Sequence, residues 1–271
     1  NSTDARPQSG LNQAGIVFEA IAEGGITRFL ALFQDTAPDY IGPVRSARPY
    51  YVQWCMGFDC AYAHVGGSPE ALADIKAWGT KDLDQFYNAG AYHRISSRYA
   101  PHNMYTSMDK LNALESSKGF GKAEYTGFKR KKDSPSQTPN ASSISLAISG
   151  GAYNAAFAYD AASNSYLRSE GGAPHMTVDS AGNQSQINPK VVVAMVMNYG
   201  LAADDHHSRY DVIGSGQALI FQDGTVTAAT WSKADTKEPL KLVDTEGKDI
   251  ALNAGRTWLT ALSSASLATY Q

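Results

Sequence analysis

The stretch Lys129-Arg-Lys-Lys-Asp-Ser-Pro-Ser-Gln-Thr-Pro-Asn-Ala-Ser142 divides a chain of 271 residues into two parts with different hydrophobic periodicities. Charge, proline and serine dominate it, and neither a helical nor a strand period runs through it. A chain of this length can bury two cores. We read an α/β (or α+β) domain over residues 1–128, a linker over 129–142 and a mainly antiparallel, β-rich domain over 143–271.

In the first part strands alternate with helices. Residues 16–23 and 26–34 are β-rich runs separated by Gly24-Gly25, a two-residue hairpin signal. A helix follows from about Ala47 to Gly57, with Ser46 as its expected N-cap. Residues 60–65 read as a strand. Ser68-Pro69-Glu70 then opens a second helix that Gly79 stops, and a third starts near Thr106-Ser107. Beyond the linker the runs 191–198, 217–221, 226–231, 240–243 and 257–262 read as strands, with Asp223-Gly224 and Glu246-Gly247 as turns. Trp231 and Trp258 fall within them and are expected in the core.

A net charge of −3 and a pI near 6.1 argue against a nucleic-acid binder. No apolar run reaches the roughly 18 residues of a membrane span. The chain opens on Asn1 without a methionine and is expected to be a processed product. Cys55 and Cys60 cannot make a four-ligand zinc site alone, and two buried thiols are favoured over a short-loop disulfide. Asp204-Asp-His-His207 lacks metal-ligand spacing and reads as a polar loop. No metal and no cofactor is expected.

The chemistry concentrates at three helix starts. With the strands at 26–34 and 60–65 as parallel neighbours, both following loops share the carboxyl edge of a sheet, where open α/β sheets hold ligands. Arg45 and Arg48 flank one helix start, His64 and Ser68 the next, and Arg98, His102 and Asn103 the third. Helix N-termini offer free N–H groups, and arginine adds paired donors for phosphate or carboxylate. The pattern reads as an anion pocket or as three unrelated caps. A two-residue hairpin turn also places Glu19 and Glu23 on one face beside Arg28. A cross-strand salt-bridge cluster is the plainer reading there, and acid/base work the other.

The segments Ala5-Arg-Pro-Gln-Ser-Gly10, Glu23-Gly-Gly-Ile-Thr-Arg-Phe29, Gly42-Pro-Val-Arg-Ser-Ala-Arg48, His64-Val-Gly-Gly-Ser-Pro69 and Ala100-Pro-His-Asn103 follow one another in an order that resembles the YerB-type lipoprotein family of bacteria. The later Gly214-Ser-Gly216 and Gly255-Arg-Thr-Trp258 look like that family's C-terminal domain. The resemblance covers nearly the whole chain and implies an extracytoplasmic protein, membrane-anchored by a lipid upstream of residue 1 or secreted. It carries no catalytic residues over, and the family's function is unknown. The expected role is binding of an anionic or polar envelope ligand: a glycopolymer, a peptidoglycan fragment or a lipid pyrophosphate. Arg28, Arg45, Arg48, Arg98, His64, Ser68, His102 and Asn103 would form the site, supported by Glu19 and Glu23, and the β domain would dock another envelope protein. The alternatives are an interaction scaffold, and a hydrolase or phosphotransferase with His64 or His102 as general base.

Overall fold

Gly24 and Gly25 hold φ values of 56° and 76°, the left-handed pair that a tight turn between twisted strands requires. They join β1 (Ile16–Glu23) to β2 (Ile26–Leu32). The computed structural model describes residues 1–271. Glu23 lies opposite Ile26, as the turn dictates. The register then shifts between Glu23 and Ile21, so that Ala20, rather than Ile21, faces Arg28. The extra residue is a β-bulge, and it overturns the expected shared face of Glu19 and Glu23. Phe18 turns to the helical side, where it stacks on Trp54 with ring centroids 4.8 Å apart. Glu19 turns to the other side, and the bulge rotates Glu23 back towards the helix.

β1 is also where the two halves of the chain meet. A seven-stranded sheet runs in the order 241–243, 225–233, 214–222, 191–196, 257–262, β1, β2. Strand 257–262 pairs in parallel with 191–196 on one side and with β1 on the other, Val17 opposite Trp258 and Glu19 opposite Thr260. The remaining pairings in this sheet are antiparallel. A second, five-stranded antiparallel sheet of 173–174, 165–170, 155–160, 143–146 and 268–270 packs against the face that carries Glu19. The helix α1 (Pro49–Met56) covers the opposite face. The fold class is thus the expected one: an α+β first part, then a mainly antiparallel β part. A main core of 43 buried residues runs through both, with Trp231 and Trp258 each 2 % exposed, and a smaller cluster of 5 gathers around Leu83, Met104 and Leu111.

Three local expectations are corrected. The strand β3 (Ala61–His64) pairs in parallel with β4 (Lys81–Asp84), and not with β2. The helix α2 (Pro69–Trp78) makes the crossover that a parallel pair needs. Secondly, α1 starts two residues late, because Pro49 takes the first helical position and leaves Arg48, extended at φ −137°, as N-cap. Ser68 caps α2 by accepting from Ala71 N–H, and Ser107 caps α3 (Met108–Ser117) in the same way through Lys110 N–H. Thirdly, Cys55 and Cys60 form a disulfide, their Cα atoms 5.5 Å apart. The Gly57–Asp59 turn after α1 brings them together, Asp59 standing at φ 49°.

Within 129–142, Arg130–Lys131 pairs in parallel with Leu252–Asn253, and the N–H of Ser134 donates to Asp223. Reducing the disulfide, or the Cys60→Ser substitution, is expected to lower stability by about 2 kcal/mol, since the bridge closes a short loop. Urea unfolding of the oxidised, reduced and substituted proteins measures it.

Candidate functional site

Glu23 is the only carboxylate paired with either of two arginines at the hairpin end. Arg28 donates to it at 3.1 Å and to the carbonyl of Ser46 at 2.7 Å. Arg48 reaches its other oxygen through Nε and is 5 % exposed. Arg45 stands beside them with no carboxylate partner, its one bond a 2.6 Å contact to the carbonyl of Pro101. Burial first, and then the field of Arg28, lower its pKa to about 10. A guanidinium that is half-buried, beside two others and short of a counter-charge is a site where an anion relieves unfavourable electrostatics.

Arg28, Arg45 and His102 line one open groove of about 1320 Å³, together with Glu23 and Ser46. The groove runs between β2 on one wall and β3, β4 and α3 on the other. The segment Lys122–Phe128 borders its far end. Six arginines and lysines line it against Glu23, Asp35 and Glu115, an excess of positive charge in a chain whose net charge is −3. Apolar side chains such as Leu30, Leu32 and Phe33 make up half of the lining. Burial and the Arg45 charge lower the pKa of His102, so the ring is mostly neutral at pH 7.

The other anticipated residues lie elsewhere. His64 is 1 % exposed with both ring nitrogens engaged, Nδ1 with the carbonyl of Gly66 at 2.7 Å and Nε2 with Asp82 at 3.0 Å. Ser68 is a buried helix cap. Arg98 ties the N-terminal segment to the third helix start, donating to the carbonyls of Ala5 and Pro7 and to the Tyr105 hydroxyl. Asn103 accepts from Arg94 and donates to two loop carbonyls. In the 204–207 loop the Asp204 carboxylate accepts from the N–H groups of His206 and His207.

Glu19 does not support Arg28. It lies between the two sheets, fully buried, and accepts two bonds from Arg168 at 2.8 and 2.9 Å and one from the Trp258 indole. The Arg168 guanidinium stacks 4.7 Å from the Trp258 ring, and Glu170, His175 and Gln8 complete the network. Burial and then Arg168 push the His175 pKa well down. Of this cluster the sequence singles out Glu19 alone. A signal existed in Ser165-Tyr-Leu-Arg-Ser-Glu170, where strand alternation puts Arg168 and Glu170 on the same face as buried Tyr166.

Two family models match the chain: Protein of unknown function (DUF3048) N-terminal domain over residues 1–121, and its C-terminal domain over residues 144–259. "Putative lipoprotein YerB" of Bacillus subtilis (strain 168) is 31% identical over 265 residues, an alignment of 96% of this chain and 78% of that protein. The chain belongs to this family of two-domain, YerB-like proteins, whose function is unknown. A crystal structure of the YerB protein from Bacillus subtilis superposes with a TM-score of 0.87 at 29% identity, covering 100% of this chain and 91% of that one.

Arg168→Ala, which strands Glu19 in the interior, is expected to destabilise by about 3–5 kcal/mol. Pairing Arg168→Met with Glu19→Leu is expected to regain much of that loss in a denaturation double-mutant cycle. Arg98→Ala is expected to lower the melting temperature while leaving any ligand response of the groove intact, which separates a clamp from a binding residue.

Proposed function

We propose that this chain is a bacterial cell-envelope protein that holds an anionic or polar ligand in the groove at Arg45. The observation that carries the reading is the unpaired guanidinium of Arg45 beside Arg28 and His102. Glycopolymers, peptidoglycan fragments and lipid pyrophosphates all present such anions in the envelope. An extracytoplasmic location is supported by the relative's name as a lipoprotein and by the Cys55–Cys60 disulfide, which persists in oxidising compartments. No helix is long and apolar enough to cross a membrane.

Binding is favoured over catalysis at this site. A general base needs a free nitrogen within reach of a nucleophile or its water. His64 has none to spare, and no hydroxyl or thiol of the protein bonds to the His102 ring. An interaction scaffold is the second reading, favoured by the aromatic rings of Phe86, Tyr87 and Tyr99, which stand 70%, 84% and 92% exposed.

A thermal-shift screen against phosphorylated sugars, muropeptides and polyprenyl pyrophosphate analogues tests the reading. At least one anion is expected to raise the melting temperature, and Arg45→Ala to abolish the rise. Protonation of His102 below its depressed pKa adds a positive charge. Affinity is therefore expected to increase as the pH falls through that lowered pKa, and His102→Ala to flatten that dependence. No shift with any of these ligands would refute the assignment.

A further inference from the structure

The groove is bounded by two strand edges that nothing pairs. β2 ends the seven-stranded sheet. Ala20 and Arg28 face each other across the hairpin, while the N–H and C=O of Ile21 turn away from β2, to the hydroxyls of Tyr210 and Tyr50. Arg28 and Leu30 therefore bond β1. By alternation the backbone groups of Phe29 and Ala31 point outward from the free edge, and no loop backbone reaches them.

β3 repeats the arrangement from the other wall. The carbonyl of His64 accepts from Gln85, on the side of β4. Tyr62 and His64 thus bond β4, and Ala61 and Ala63 turn the other way. The next outward residue, Val65, is satisfied by the carbonyl of Arg45 at 3.2 Å, whereas Ala61 and Ala63 have no such partner. All four outward residues, Phe29, Ala31, Ala61 and Ala63, line the groove.

The slot has defined ends. At one end the Arg45 carbonyl accepts from the Val65 N–H and the Ser46 carbonyl accepts from the Arg28 guanidinium, so the chain at 45–46 closes the slot. At the other, Glu124 N–H donates to Asp59 at 2.9 Å and Tyr125 bonds Gln34. Arg28 to Leu32 gives room for about five extended residues. An edge of this kind is normally blunted by proline, lysine or an inward charge, and residues 29–32 contain none. Such an edge is suited to strand addition, in which the backbone supplies affinity and flanking groups choose the partner.

We propose that an extended, acidic polypeptide segment docks in this slot as an added strand between β2 and β3, its carboxylates against Arg28 and Arg45. The excess of basic residues along the groove of an acidic chain selects the sign of the partner. The proposal rests on the reading of Arg45 as an anion-binding residue and names its ligand as a peptide. A phosphate or a glycopolymer would satisfy the arginines and leave the four backbone positions untouched.

The test titrates the full chain by calorimetry with a set of end-blocked ten-residue peptides that alternate glutamate with valine or threonine. Sodium tripolyphosphate serves as a charge-only probe. Peptide binding is expected to slow amide hydrogen exchange at Phe29, Ala31, Ala61 and Ala63. N-methylation of alternate peptide nitrogens, which removes donors and keeps the charge, is expected to weaken binding by about ten-fold or more. Arg45→Ala should weaken both probes. Ala31→Pro, at an N–H that has no partner in the free protein, should weaken the peptide alone. Should that variant unfold, peptide methylation still decides. Equal affinity of methylated and unmethylated peptides, or Arg45-dependent binding of tripolyphosphate with no peptide bound, overturns strand addition and leaves the anion site standing. If neither probe binds, both readings fall.

Discussion

Ile16 to Glu19 lie beside Thr257 to Thr260 in parallel register, and the rest of the molecule is arranged around that contact. It converts a hairpin from the first half into the last two strands of a sheet built from the second. Every residue of β1 then acquires two duties. As far as the bulge after Ile21, its even side chains face α1 and its odd ones face the five-stranded sheet, so that Phe18 meets Trp54 and Glu19 meets Arg168. A carboxylate so placed must find a cation, because an unpaired charge there is far costlier than the pair. Arg168 answers it from 149 residues away and is itself enclosed by Phe29, Phe157 and Trp258.

The arginines that stand out in the sequence divide by what satisfies them. Arg98 is saturated by carbonyls and a hydroxyl, and Arg48 by Glu23 and its own backbone neighbour. Arg28 shares Glu23 with Arg48. Arg45 alone is left with a single neutral acceptor, and it lines the groove that the two free edges bound. Charge, cavity and backbone geometry thus coincide at one position, although the residues responsible come from β2, the 42–48 segment and the loop before α3.

What could be read from the sequence was local. Gly24-Gly25, Ser68-Pro69 and Asp223-Gly224 act through φ preferences and caps within a few residues, and each lies where its chemistry puts it. The bulge after Ile21 has no such signature. It is held by hydroxyls of Tyr50 and Tyr210, the second of them 189 residues distant. The strands at 143–146 and 155–160 lie outside the expected runs because they are short and rich in serine and alanine, and the neighbouring strands complete them. For the candidate site, residue type singled out the arginines without dividing them by role. Which of them remained unpaired depended on carbonyls of residues 5, 7, 46 and 101, about which side-chain chemistry is silent.

The pairing of residue 16 with residue 257 also sets the order in which the molecule can be assembled. A ribosome that has released the first hairpin has not yet made the strand the hairpin must lie against, and α1 covers only its other face. The hairpin and the groove it walls wait, with apolar edges open, until nearly the whole chain is available. Such long-range closure slows folding and lengthens exposure to wrong partners. The two sequence domains are in this sense one folding unit, joined through the pairing of β1 with strand 257–262.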